Sequence, residues 1–263
     1  MPRIENNCFM KKNPKISVCI ATFNGEKFIE DQLKSIIKQL SNDDEIIISD
    51  DGSFDGTIRI ISAFSDQRIK LIQNDVSVRK FAQQSKSYQV TKNFESALKR
   101  ATGDFIFLSD QDDVWEDDKV KDCIMLFKDS NCNLIVHDAT VLDESGTVIA
   151  PSYFEKVKSQ KGFFKNIIKN SYLGCCMVFD RDVLLKSLPF PDNLIAHDIW
   201  IGLTAERYGK VAFLEKKLIR YQRHSAAVTA SGMKSINSLY FKIRYRVQLV
   251  IQWHISISKN RNQ

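Results

Sequence analysis

Residues 105–108 (Phe-Ile-Phe-Leu) are apolar without interruption, the run stops at Ser109, and three carboxylates follow at once: Asp110, Asp112 and Asp113. An apolar run this short, unbroken rather than alternating, reads as a strand buried on both faces, as in a parallel sheet covered by helices. In open α/β sheets, ligands bind outside the carboxyl ends of the strands. The sequence therefore delivers a tight acidic cluster to the edge where such folds do their chemistry. Carboxylates this close repel one another unless a cation sits among them, and an all-oxygen ligand set favours Mg²⁺ or Mn²⁺. The plainer reading is an Asp-rich turn capping a helix that begins near Glu116.

The chain around this run alternates strand and helix. Strands are expected over 16–21, 45–49 and 68–72. Helices are expected over 29–40, 55–64 and 91–101, where apolar residues recur at helical spacing. Strand–helix alternation predicts an α/β fold with a mainly parallel sheet flanked by helices. Residues 74–90, with Arg79, Lys80 and Lys86, break the rhythm as a long polar loop. A helix over 115–127 is expected next. The second half is less regular. Its expected strands are 133–138, 147–150, 174–179, 211–214 and 218–221; its expected helices are 163–168, one from Arg181, and 196–208.

A second acidic pair, Asp50 and Asp51, ends another strand, so both clusters open on one edge of the sheet. Two carboxylate pairs on one edge favour a site over two accidental turns. The chemistry that best explains them is departure of a nucleoside diphosphate, whose charge a metal would neutralise. Each residue also has a plainer reading. Asp51 and Asp55 could form turns around Gly52, Asp198 could be a charge at a helix N-terminus, and Trp115 and Trp200 could be core.

Four stretches then carry a resemblance: VCIATFNG at 18–25, SDDGSFD at 49–55, LSDQDDVW at 108–115, and His197-Asp198 with Trp200. Their order and spacing over about residues 15–225 resemble family 2 glycosyltransferases of the GT-A fold. The DQDD form resembles the bacterial branch that builds O-antigen, capsule and rhamnose polysaccharides. The resemblance implies an inverting, metal-dependent hexosyltransferase. Its donor would be a UDP- or dTDP-linked sugar, its acceptor a lipid-linked glycan, and its metal Mn²⁺ or Mg²⁺. It places Thr22, Asn24, Asp51, Asn93 (with Lys92) and Asp110 at the nucleotide. Asp112 is implied as the metal ligand with His224 assisting, Asp113 and Trp200 lie toward donor sugar and acceptor, and Asp198 is the catalytic base. The family often carries Glu-Asp where this chain has His197-Asp198.

The expected organisation is a leader over 1–14, a glycosyltransferase domain over 15–230 (nucleotide-sugar half 15–115, acceptor half 116–230) and a tail over 231–263. The tail is basic and rich in aliphatic and aromatic residues, with no acid, which suits a helix on an anionic membrane or a terminal helix packed on the domain. Six cysteines without a CxxC spacing, and no signal sequence or membrane span, place the chain in the cytoplasm, peripheral on the inner face of the membrane. A net charge of +6 concentrated in the tail gives no footprint for nucleic acid. The competing classes are a sugar-phosphate nucleotidyltransferase, which needs a glycine-rich phosphate loop that Thr22 to Gly25 do not supply, and a non-catalytic binding module of the same fold.

Overall fold

The computed structural model describes residues 13–75, 85–223 and 239–260, with side chains over 244–255 of the last segment. In chain order the elements are β1 (Ile16–Thr22), α1 (Ile29–Ile37), β2 (Glu45–Asp50), α2 (Thr57–Ala63), β3 (Ile69–Gln73), α3 (Lys86–Leu98), β4 (Phe105–Asp110), β5 (Val114–Trp115), α4 (Lys119–Ser130), β6 (Leu134–Leu142) and β7 (Val148–Ala150). Then come α5 (Tyr153–Val157), α6 (Phe163–Ile168), a 3-10 turn (Gly174–Cys176), β8 (Met177–Asp180), α7 (Arg181–Ser187), α8 (His197–Tyr208), β9 (Val211–Gln222) and α9 (Leu239–Asn260).

One sheet runs through all of it, in the order β3-β2-β1-β4-β8-β6-β9-β5, with β7 paired to β6. The β3-β2-β1-β4 block is parallel, as the alternation requires. Beyond β4 the sheet becomes mixed: β8 is antiparallel to both β4 and β6, and β9 is parallel to β6. β1, β2 and β4 are buried almost throughout, whereas β3 at the sheet edge is partly exposed. Every residue of the 105–108 run is buried, with Phe105 stacked on Phe127 at 4.4 Å.

The structure departs from the sequence expectations at several places, among them the unexpected helix α5 and the extension of β6 to Leu142. Val114 and Trp115 do not open a helix; they form the short strand β5, antiparallel to β9, and α4 begins at Lys119. The Trp115 amide donates to Ser35 Oγ (3.0 Å) and its indole to Ser109 Oγ (3.2 Å), which holds this segment extended against the local helical pattern. The two strands expected over 211–221 are one strand, β9; the exposed Glu215, Lys216 and Lys217 that suggested a break sit where its register against β6 shifts. The polar loop is shorter than expected, since α3 starts at Lys86 with Ser85 as its cap, accepting from Tyr88 N (3.3 Å); Arg79 and Lys80 lie outside the described residues. Gly174 to Cys176 turn before β8 rather than joining it.

The tail forms α9 and packs on the domain. Leu249 is buried, Trp253 meets Phe163 at 4.5 Å between ring centroids, and Gln252 donates to the Asp192 carbonyl (2.7 Å). Among the described residues no helix is long and apolar enough to cross a membrane.

Candidate active site

The register brings the loops of the site side by side: Thr22 pairs with Asp50 across β1 and β2, and Ala21 with Asp110 across β1 and β4. Asp50 and Asp51 divide the labour at their turn. Asp50 Oδ2 accepts the amides of Gly52 (3.0 Å) and Ser53 (2.8 Å), and its Oδ1 accepts the hydroxyls of Ser53 (2.5 Å) and Thr22 (3.0 Å). Gly52 supplies the positive φ, 81°, that the turn needs. Asp50 is thus spent on making the turn. Asp51 faces a different network, in which its Oδ1 accepts Asn74 Nδ2 (3.0 Å) and the same nitrogen points at Asn93 Oδ1 (3.1 Å). Asn93 Nδ2 in turn donates to the Thr22 carbonyl (3.0 Å).

Thr22 and Asn93 are 1% and 3% exposed, with their polar groups engaged internally: the Thr22 hydroxyl donates to Asp50, and Asn93 joins the network that reaches Asp51 through Asn74. Lys92 beside Asn93 pairs with Glu95 (2.7 Å). Asn24, at a left-handed φ of 49°, accepts the Phe54 amide on its side chain (3.0 Å) and donates its own amide to Ser53 Oγ (2.8 Å), stapling the loops after β1 and β2 together. Asn74 was not singled out in the sequence, because a lone Asn after an edge strand gives no signal.

Gln111 is a second residue the sequence did not mark. Its side chain accepts the Phe23 amide (2.9 Å) and donates to the Phe23 carbonyl (3.2 Å), a two-point clamp between the loops after β1 and β4. A Cβ on Gly25 would sit 2.4 Å from Gln111 Oε1, so the clamp requires glycine there.

Across this clamp, Asp110, Asp113 and Cys175 bring ligand atoms within 4.8 Å of one another. Asp113 is wholly buried. Its Oδ1 meets the Gln222 amide at 3.4 Å, and its Oδ2 has no hydrogen-bond partner among the described residues. Burial first, then the charge of Asp112, pushes Asp110 up to about 7 and Asp113 well above the usual carboxylate range. Burial, with the neighbouring Cys176 and the two carboxylates, raises the Cys175 thiol well above its ordinary value, so without a cation it stays protonated. The two crowded carboxylates, one with a buried idle oxygen, do fit a hard divalent cation. Asp112, expected as the principal ligand, lies outside the converging trio but close enough for its charge to raise both neighbours.

Beneath the trio sits Lys119, fully buried. Its Nζ donates to the Cys175 carbonyl (2.9 Å) and lies 4.1 Å over the Trp115 ring. Burial lowers its pKa, and it draws Asp110 and Asp113 downward in turn. Nothing distinguishes this lysine in the sequence from its exposed neighbour Lys121.

The acceptor side is built on the first turn of α8. Asp198 Oδ2 accepts Asn170 Nδ2 (3.1 Å), and its Oδ1 accepts the Ile199 amide (2.7 Å). Burial pushes its carboxyl up to about 6, and its charge is felt at Asp110. His197 is buried, stacks on Phe94 at 4.2 Å, and is driven by burial down to about 3, so it is neutral. Its Nε2 has no hydrogen-bond partner among the described residues and lies 3.0 Å from where a Gly174 Cβ would be. His197 thus wedges the start of α8 between α3 and the 174–176 turn. Trp200 is 2% exposed, packs in the core, and its Nε1 donates to the Ser187 carbonyl (2.9 Å). His224 lies outside the described residues.

Comparison with known proteins agrees with this geometry. The glycosyl transferase family 2 profile matches residues 17–188. The dTDP-rhamnosyl transferase RfbG of Shigella flexneri is 34% identical over 86% of this chain and 77% of its own length. The Escherichia coli UDP-Glc:alpha-D-GlcNAc-diphosphoundecaprenol beta-1,3-glucosyltransferase WfgD is 28% identical, over 84% and 82%. The crystal structure of S. aureus TarS 1-349 in complex with UDP-GlcNAc superposes with a TM-score of 0.66 at 21% identity, over 90% of this chain and 66% of that one. With its GT-A fold and a profile match over most of the sheet, the chain belongs to glycosyl transferase family 2.

Proposed function

We propose that this glycosyltransferase moves a hexosyl residue, of rhamnosyl, glucosyl or galactosyl type, from a UDP- or dTDP-linked sugar to a hydroxyl of a lipid-linked glycan. The reaction inverts the anomeric centre and serves bacterial surface polysaccharide synthesis at the inner face of the cell membrane. The observation that carries this reading is the pairing of Asp198, near neutrality and fixed by Asn170, with the Asp110–Asp113 cluster whose field it shares. The names of the relatives, one a dTDP-rhamnosyl transferase and one acting on a diphosphoundecaprenol acceptor, support the donor and acceptor classes.

In this reading Asp51 accepts a hydrogen bond from the base, set in place by Asn74, Asn93 and Thr22. Asp110, Asp113 and Asp112 hold Mn²⁺ or Mg²⁺, which when bound supplies positive charge against the diphosphate leaving group. Asp198 takes the proton of the acceptor hydroxyl. That oxygen bonds to the anomeric carbon from the face opposite the nucleotide as the bond from carbon to diphosphate oxygen breaks. An alcohol needs such a base at neutral pH, and a carboxyl with a pKa near 6 is ionised there yet basic enough to help. The division into a donor half up to Trp115 and an acceptor half beyond it is functional: Asp51, Asp110 and Asp113 come from the first, Asp198 and Asn170 from the second.

The test is release of nucleotide by the purified chain across a panel of UDP- and dTDP-sugars, with Mn²⁺, Mg²⁺ or EDTA. The expected result is metal-dependent release from one donor, abolished by Asp110→Asn. Transfer to acceptor should be lost in Asp198→Asn with donor binding intact. Turnover undiminished by EDTA would remove the metal role, and an active Asp198→Asn would remove the base.

A further inference from the structure

Two apolar surfaces meet beside Asp198, and the chemistry above uses neither. On α6, Phe163 turns inward onto Trp253 of α9, while Phe164 and Ile168 are 78% and 68% exposed. On α9, Leu249 is buried against the domain, yet Val247, Ile251 and Ile255, around the opposite face, are exposed as well. The helices are joined by the Phe163–Trp253 contact and by the Arg246 guanidinium, which donates to the Ile168 carbonyl. An ordinary surface helix turns a polar face outward. A helix apolar on both its packed and its outer face, beside exposed Phe and Ile, marks a surface made to be covered.

The charge on the surface itself is basic. Lys156, Lys158, Lys161, Lys165 and Lys169 are all exposed, and no acid lies between Glu155 and Asp180 or anywhere in 224–263. Acidic residues stand at its margins: Glu155, Asp198 on Asn170, Asp192 at the edge where Gln252 docks, and Glu206 of α8. Glu206 is turned inward onto the Gly162 amide (2.9 Å) and the Tyr172 hydroxyl (3.0 Å). A second copy of this chain would bring lysines against lysines, whereas anionic headgroups above an acyl layer match both the charge and the apolar side chains.

We propose that α6 and the outer face of α9 form one docking surface for an anionic lipid bilayer. Phe164, Ile168 and the α9 stripe enter the acyl boundary, and Lys165 of α6 with the flanking Lys161 and Lys169 meets lipid phosphates. Resting on the lipid-linked acceptor reading, this names where the membrane lies: Asn170, which holds the Asp198 carboxylate, follows Ile168 by two residues and is exposed. The surface thus ends at the base, where an acceptor anchored in the bilayer would present its hydroxyl.

The test is co-sedimentation of the full chain with phosphatidylcholine vesicles with and without phosphatidylglycerol, alongside donor hydrolysis. The wild type should bind only the phosphatidylglycerol vesicles, less so at high salt. Phe164→Ser/Ile168→Ser should lose at least about tenfold in affinity, and each of Lys161→Gln, Lys165→Gln and Lys169→Gln about fivefold, with donor hydrolysis unchanged. Unaltered binding by these variants, or equal binding to neutral vesicles, overturns the proposal. So does a concentration-dependent dimer that Phe164→Ser/Ile168→Ser abolishes, since a second copy would then cover the surface. If no donor is hydrolysed while vesicle binding follows the expected pattern, the transferase reading falls and the docking surface stands.

Discussion

Asp198 and the Asp110–Asp113 pair are carboxyls raised by burial, and their signs of pH dependence differ according to what is measured. A base works when deprotonated, so acceptor transfer should rise with pH through about 6 and level off above it. Asn170→Ala removes a hydrogen bond that favours the charged form. The acid limb should then move to higher pH with KM for the donor unchanged, and an unmoved limb would show that Asn170 has no hold on Asp198. For stability the raised values mean that the folded chain binds more protons than the unfolded chain between about 4 and 7. Stability of the metal-free protein is therefore greatest at low pH in this window and is lost as pH climbs through 7. Asp113→Asn should raise the melting temperature at pH 7.5 without metal and abolish the further rise that Mn²⁺ gives the wild type; a melting temperature lower than wild type would argue against a strained carboxylate there. Both acidic clusters and Asp198 were legible in the sequence because they sit at ends of apolar runs or helix starts. Lys119, Asn74 and Asn170 were not, since a buried lysine or a bridging amide differs from a surface one only in its tertiary surroundings.

At the scale of elements, the parallel strands and the helices between them were readable from apolar periodicity, since burial on both faces leaves few polar positions. β5 was not, because a two-residue strand carries no period and is specified by hydrogen bonds that Trp115 donates to Ser35 of α1 and Ser109 of β4. The clamp from Gln111 to the loop after β1 is invisible for the same reason, yet it sets the spacing of two ligand-facing loops. Gly25→Ala drives a methyl into Gln111 and should weaken nucleotide binding and lower stability by about 1–3 kcal/mol. Gly25→Ala/Gln111→Ala should recover part of the stability but none of the binding, as urea melts and nucleotide titration would show. Additive losses in the pair would mean the two residues do not meet.

Over the whole molecule, the strands on either side of Trp115 share one sheet, and the order of strands in space is not the order in sequence. β4 is followed in the chain by β5, but β8, β6 and β9 lie between them. A fragment ending at residue 188, where the family match stops, keeps every candidate donor residue yet lacks β9. It should fail to bind nucleotide in a thermal-shift assay; a fragment that binds as tightly as the full chain would refute the dependence on β9. The sheet order has a consequence in time as well. Asp113 meets the Gln222 amide 109 residues downstream. At ribosomal rates that interval is roughly 5–20 s, during which Trp115 and the carboxylates beside it have been synthesised but their closing strand has not. Asp113 therefore waits, after its own synthesis, for the partner amide that closes over it.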